Sequence, residues 1–158
     1  MKTVYLGLGS NLGDRSAHLA AAVARLSSEE LRVTRVSSVW ETEPREVRDQ
    51  PWFLNQVVEA ETTLFPRQLF QRIQRMERDL GRVRRKPKGP REIDIDILFF
   101  GDAVVRTPGL EIPHPRLAER RFVLEPLAEL APELRHPITK MSVRQMLAAV
   151  ARQDVQKL

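Results

Sequence analysis

Apolar and polar residues alternate from Val4 to Gly9, and the alternation predicts a strand. Turn residues follow in "GSNLGD", with Asp14 placed to cap a helix. From Arg15 to Leu26 the apolar positions Leu19, Ala22, Val23 and Leu26 recur at helical spacing. Leu31 to Thr42 is rich in Val, Ser and Thr and alternates at Val33, Arg35, Ser37 and Val39, which predicts a strand. The charged, proline-bounded stretch 43–51 reads as an exposed loop, and Phe53 to Leu64 returns to strand character. Pro66 suits the first turn of a helix that runs to Leu80 and stops at Gly81, with an apolar stripe of Leu69, Phe70, Ile73, Met76 and Leu80.

A basic loop, 82–91, leads into a strand carrying Ile93, Ile95 and Ile97 on one side and Asp94 and Asp96 on the other. Gly101-Asp102 is expected to turn this strand toward a short partner, Ala103 to Arg106. A helical region near Val123 to Leu130 and a last helix opened by Ser142 complete the chain. The order β-α-β-β-α-β, with a hairpin and C-terminal helices, predicts an α+β fold of the ferredoxin-like sandwich kind. Its sheet is expected to be mainly antiparallel, with helices on one face and the active site on the other. No repeat, low-complexity tract or linker divides the sequence, so one domain over residues 1–158 is expected.

Composition narrows the chemistry. Hydrophobic content of 42% with 30% charged residues is that of a globular chain, and no apolar run approaches the roughly 20 residues of a spanning helix. The N-terminal "MKTVYLGLGSN" lacks the apolar stretch and cleavage site of a signal peptide and reads as a first strand, and the absence of cysteine leads to the expectation of a cytoplasmic location. With no cysteine and with His18, His114 and His136 scattered, thiolate and histidine zinc sites are not expected. The net charge of +5 favours anionic partners.

Asp94 and Asp96 share one face of their strand, about 6.6 Å apart at roughly 3.3 Å per residue. Two carboxylates so placed repel each other unless something positive lies between them. Mg²⁺, which takes oxygen ligands from carboxylates, waters and phosphates, fits that role, and two ions bridged by the carboxylates are also accommodated. The bland alternative is a solvated polar face. Just upstream, Arg75, Arg78, Arg82, Arg84, Arg85, Lys86, Lys88 and Arg91 crowd a short stretch. Guanidinium forks bind phosphate oxygens bidentately, so a magnesium nucleotide lying across acidic strand and basic loop gives both clusters a partner. A solvated helix end or general nucleic-acid binding is the competing reading. "GLGSN" lacks the lysine and Ser/Thr of a P-loop and reads as a tight turn.

The stretches "GLGSNLGD" at 7–14, "DQPWFLN" at 49–55, "GPREIDIDILFFG" at 89–101 and "IPHPRLAERRFVLEPLAELAPEL" at 112–134 resemble the hydroxymethyldihydropterin pyrophosphokinase family, in the right order and over nearly the whole chain. The resemblance implies transfer of pyrophosphate from ATP to the hydroxymethyl group of 6-hydroxymethyl-7,8-dihydropterin, with release of AMP, in folate biosynthesis. It implies that Asp94 and Asp96 bind two Mg²⁺ ions, with Asp94 also near the pterin. It further implies a pterin site of Thr42, Glu43, Pro44, Arg45, Phe53, Asn55 and Phe122. Around ATP it implies Gln74, Glu77, Arg82, Arg84, Arg91, Asp96, Ile97, His114 and Arg120. Arg82 and Arg91 are the implied catalytic arginines beside the two aspartates. Implied partners are these two small molecules, with no nucleic acid and no membrane, and a monomer is expected. The sequence departs from the family pattern at Lys88, where an aromatic is common, at Arg45-Glu46 after Pro44, and at Pro115, where several relatives have tyrosine.

Overall fold

The alternating N-terminal stretch becomes β1 (Lys2–Ser10), which lies between two antiparallel neighbours, β4 (Phe53–Thr62) and β5 (Asp94–Phe100). The computed structural model describes residues 1–43, 51–82 and 91–158. The six-stranded antiparallel sheet runs β5-β1-β4-β3-β8, with β2 (Leu31–Val36) also paired to β4, β3 being Trp40–Thr42 and β8 Gln156–Lys157. Among these, β5 is an edge strand.

The segment from Leu31 to Thr42 is therefore two strands. At the break Ser37 takes over pairing with β4: its N–H donates to Val57 O at 2.9 Å and its Oγ accepts from Val57 N at 2.9 Å. A side-chain hydroxyl can stand in for a ladder group in this way, and alternation alone does not reveal it.

Helix α1 (Arg15–Leu26) starts where Asp14 accepts from Ala17 N at 3.1 Å, and it buries Leu19, Ala22 and Leu26. Helix α2 (Pro66–Asp79) opens with Pro66, buries Leu69, Ile73 and Met76, and ends before Gly81, whose φ of +94° suits glycine. Both helices pack on the face that carries Leu6, Leu8, Leu54, Val58, Ile93, Ile95 and Ile97.

Two expectations need correction. Helices occupy both faces of the sheet. Leu117, in a short 3₁₀ turn, Leu124 and Leu127 of α3 (Arg121–Leu130), and Val143 and Met146 of α4 (Val143–Ala149) pack on Tyr5, Val57, Leu98 and Phe99. A register shift between Tyr5 and Leu6 makes this possible, because it brings both Leu98 and Phe99 of β5 to that side. Only part of the second face, around Gly7, Gly9, Asp94 and Asp96, lines an open cleft. In addition, the segment after Gly101 does not pair with β5. Instead β6 (Val105–Thr107) pairs with β7 (Leu110–Ile112) as a separate hairpin, because Pro108-Gly109 supplies its turn, with Gly109 at φ +80°.

Candidate active site

The strand pleat delivers the two aspartates as expected. Their isoleucine neighbours face the α1/α2 core, while Asp94 and Asp96 line the cleft on the other side. The cleft has an empty volume of about 870 Å³, open mouth included. Its floor is glycine: a Cβ on Gly9 would lie 3.4 Å from Asn55 Oδ1 and 3.6 Å from Phe53 Cδ1. Phe53, Asn55, Thr42, Glu43, Arg91, Arg120 and Phe122 join the lining, so nine sequence-predicted positions meet here.

The cleft wall combines aromatic faces with one unsatisfied amide. Arg91 and Arg120 lie over the Phe53 and Phe122 rings at 5.4 Å and 5.5 Å from the centroids. Asn55 is 7% exposed, and its Nδ2 is buried without a hydrogen-bond partner among the described residues. A buried donor in that condition costs free energy until something in the cleft accepts from it. Thr42 is buried and its hydroxyl donates to Asp154 O at 3.4 Å.

Around Asp94 the charges interlock. Arg82 Nη1 donates to Asp94 Oδ1 at 2.9 Å and to Glu77 Oε2 at 2.8 Å, while Arg91 Nη1 donates to Asp94 Oδ2 at 3.0 Å. Glu77, expected at the nucleotide, is instead turned inward from α2, where its Oε2 also accepts from Ile95 N at 2.8 Å. Burial, joined by the negative charge of Asp94, raises the Glu77 carboxyl. Desolvation in the cleft, then the like charges of Asp94 and Glu77, push the Asp96 carboxyl well above its ordinary range.

A second cavity, with an empty volume of about 700 Å³, lies past the edge of β5 between α2 and the β6–β7 hairpin. Its lining includes Phe70, Ile97, Leu110, Glu111 and His114, and Asp96 belongs to both cavities. His114 is held to β5 by its N–H donating to Leu98 O at 3.1 Å. Its Nδ1 accepts from Arg116 N at 3.2 Å, which leaves the proton of a neutral ring on Nε2, 4.0 Å from Asp96 Oδ2. Burial, then the Arg120 charge, lowers the His114 pKa to about 4, so the ring is neutral at pH 7.

Gln74 is exposed on α2 and lines neither cavity. Pro44, Arg45 and Arg84 lie outside the described residues. Two participants escaped sequence reasoning. Arg116 lines the cleft as one more arginine in an arginine-rich chain. Asn11, fully buried, receives Arg91 N on Oδ1 at 2.9 Å, gives its own N–H to Arg91 O at 3.1 Å, and donates through Nδ2 to Pro51 O at 3.0 Å. It thereby ties the residue after the 83–90 segment to the residue after 44–50. An asparagine in a turn carries no sign of such burial; only its position inside "GSN" could have drawn notice.

Comparison with known proteins adds a third line. Residues 5–132 match the family described as 7,8-dihydro-6-hydroxymethylpterin-pyrophosphokinase. The sequence is 43% identical over 145 residues to the 2-amino-4-hydroxy-6-hydroxymethyldihydropteridine pyrophosphokinase of Aquifex aeolicus, covering 92% of this chain and 90% of that protein. Similarity to the enzyme of the same name from Bacillus subtilis is 44% over 142 residues, covering 89% and 85%. Folic acid synthesis protein fol1 of Pneumocystis carinii is 40% identical over 154 residues, but the chain spans only 21% of that longer protein. Among solved structures, wild-type HPPK-DHPS of Plasmodium falciparum superposes with a TM-score of 0.75 at 15% identity, over 94% of this chain and 44% of that one, a likeness of fold.

Proposed function

The chain belongs to the 7,8-dihydro-6-hydroxymethylpterin-pyrophosphokinase family, and on that premise we propose that it transfers pyrophosphate from ATP to the hydroxymethyl group of 6-hydroxymethyl-7,8-dihydropterin, releasing AMP. The observation that carries this reading is the place of Asp96, shared by two cavities of different character. A transfer between two substrates needs their reacting ends to meet at one point.

The glycine-floored cleft takes the pterin. Phe53 and Phe122 offer faces to a flat heterocycle, and the orphaned Asn55 amide donates to an acceptor on its edge. Thr42 and Glu43 complete its polar rim, and Pro44 and Arg45 are assigned to pterin binding on the family resemblance alone. The cavity at the β5 edge takes the nucleotide base, between the apolar walls of Phe70, Ile97 and Leu110. The triphosphate then crosses Asp96 toward the cleft.

Two carboxylates on one face suit a hard divalent cation. Mg²⁺ is commonly held by one or two carboxylates with waters and substrate phosphates, a donor set that Asp94 and Asp96 would fit. Desolvation and the like charges of Asp94 and Glu77 raise the Asp96 carboxyl, and a bound cation would offset that repulsion. Asp94 and Asp96 would hold one or two such ions, which when bound neutralise phosphate charge and acidify the substrate hydroxyl. The protein's own groups do the rest. Arg82, Arg84, Arg91 and Arg120 bind the polyphosphate, and the neutral His114 donates from Nε2. Asn11 keeps Arg91 and Pro51 in register with the cleft. We also read the fold as an elaborated ferredoxin-like sandwich, which the strand order β5-β1-β4 with β2 and β3 beyond supports.

The test is product analysis by mass spectrometry after incubation with MgATP and the hydroxymethyl dihydropterin. AMP with the pterin diphosphate is expected; ADP with a pterin monophosphate, or no pterin product, overturns the proposal.

A further inference from the structure

We propose that Asp94 is guarded by two guanidinium groups in the nucleotide-free protein, so that divalent cation and nucleotide enter as one coupled event, with Glu77 as the positioning residue that keeps Arg82 at hand. The proposal rests on the assignment of Asp94 and Asp96 as cation ligands made above.

Both Asp94 oxygens are engaged, Oδ1 by Arg82 at 2.9 Å and Oδ2 by Arg91 at 3.0 Å. A hard cation needs at least one of them. Each guanidinium supplies the positive charge a metal would bring, so it repels a cation approaching the Asp94 oxygen it holds and weakens that oxygen as a ligand. Phosphate oxygens attract the same forks, and a polyphosphate arriving beside Asp96 draws them off Asp94. The carboxylate opens as the nucleotide settles.

The structure also gives Arg82 somewhere to stay. Its Nη1 bridges Asp94 and Glu77, and Glu77 is fixed by accepting from Ile95 N of the same strand. Once Asp94 is surrendered, Arg82 keeps an anionic partner rooted to β5 and remains within the site. This gives the buried Glu77, which faces neither cavity, a role that nucleotide contact does not. By linkage, whatever the nucleotide adds to cation affinity the cation adds to nucleotide affinity.

Mn²⁺ is the probe, titrated by calorimetry and by its paramagnetic resonance signal, into wild type, Arg82→Gln and Arg91→Gln without nucleotide. Each substitution frees an Asp94 oxygen, and Mn²⁺ affinity is expected to rise about tenfold, the weight of one hydrogen bond to a charged group. A gain of affinity is not the signature of general damage to the fold. Mn²⁺ bound equally or more weakly by both variants, with wild-type circular dichroism, overturns the guard. Should Arg82→Gln fail to fold, Arg91→Gln alone decides. Asp94→Asn separates the two levels. Wild-type Mn²⁺ affinity in the complex of Asp94→Asn with α,β-methylene ATP removes the ligand assignment itself, whereas loss of that affinity with no gain in the arginine variants removes only the guard.

Discussion

Asn55 carries a buried amide, and in the proposed site the pterin accepts a hydrogen bond from it. Its Nδ2 bonds to nothing among the described residues, so Asn55→Ala loses no hydrogen bond at that nitrogen. We expect pterin affinity to fall by about tenfold to a hundredfold, the usual weight of a buried hydrogen bond. Nucleotide affinity should hardly change and melting temperature should not fall; calorimetry with each ligand and a thermal melt check this, and equal losses of affinity for the two ligands contradict the assignment. His114 offers a pH test. Its folded pKa of about 4 lies below the unfolded value of about 6.5, so the unfolded chain takes up a proton first. Its share of stability is full above about pH 6.5 and shrinks as pH falls toward 4. His114→Asn should therefore lose less melting temperature than wild type between pH 7 and 4.5, and parallel losses contradict a buried neutral ring. The aspartates were legible because two-residue periodicity fixes which side chains share a face. Asn55 and His114 were legible only through the motifs around them, since an isolated Asn or His says nothing of burial.

Elements were read best where one periodicity governs. The bounds of α1 came out as the spacing predicts, and Ser142 caps α4, accepting from Gln145 N at 3.1 Å. Where tertiary partners decide, the reading erred: the break at Ser37, the β6–β7 hairpin, and α3 and α4 on the second face all depend on residues distant in sequence. Helix α3 bears on the proposed pterin site because Phe122 stands in its first turn. Leu124 is fully buried against Tyr5, Val57, Leu98 and Phe99, so Leu124→Ala should cost about 2–5 kcal/mol and weaken pterin binding through Phe122. Unfolding in denaturant with pterin titration checks both. The far end of α3 is tied by Arg35, which donates to Leu130 O and to Glu59 at 2.8 Å, while Tyr5 donates to Glu59 at 2.8 Å. The Arg35 bond outweighs partial desolvation and holds Glu59 at a pKa of about 2. A lowered carboxylate contributes stability above its unfolded pKa of about 4.3 and loses it as pH falls toward 2. Glu59→Gln should therefore flatten the acid side of the stability curve in that window, as thermal melts at pH 5 and pH 2.5 would show.

At the scale of the whole molecule, the sheet separates two tasks. One face, under α1 and α2, is apolar and carries the main core. The other is half covered by α3 and α4, and its uncovered part holds the cleft. The edge position of β5 then lets one carboxylate, Asp96, reach both the cleft and the cavity beyond the edge. The opposite placing of core and cleft is what the element order predicts, whereas the half-cover by α3 and α4 and the reach of Asp96 into both cavities follow from strand order and from which helices find room. The most direct test is a crystal structure with magnesium, α,β-methylene ATP and the hydroxymethyl dihydropterin. The expected result places cation density on Asp94 and Asp96, the base beyond the β5 edge, and the pterin between Phe53 and Phe122 with its hydroxymethyl group toward the phosphates. Phosphates bound elsewhere, with both aspartates bare, would contradict the two-substrate site.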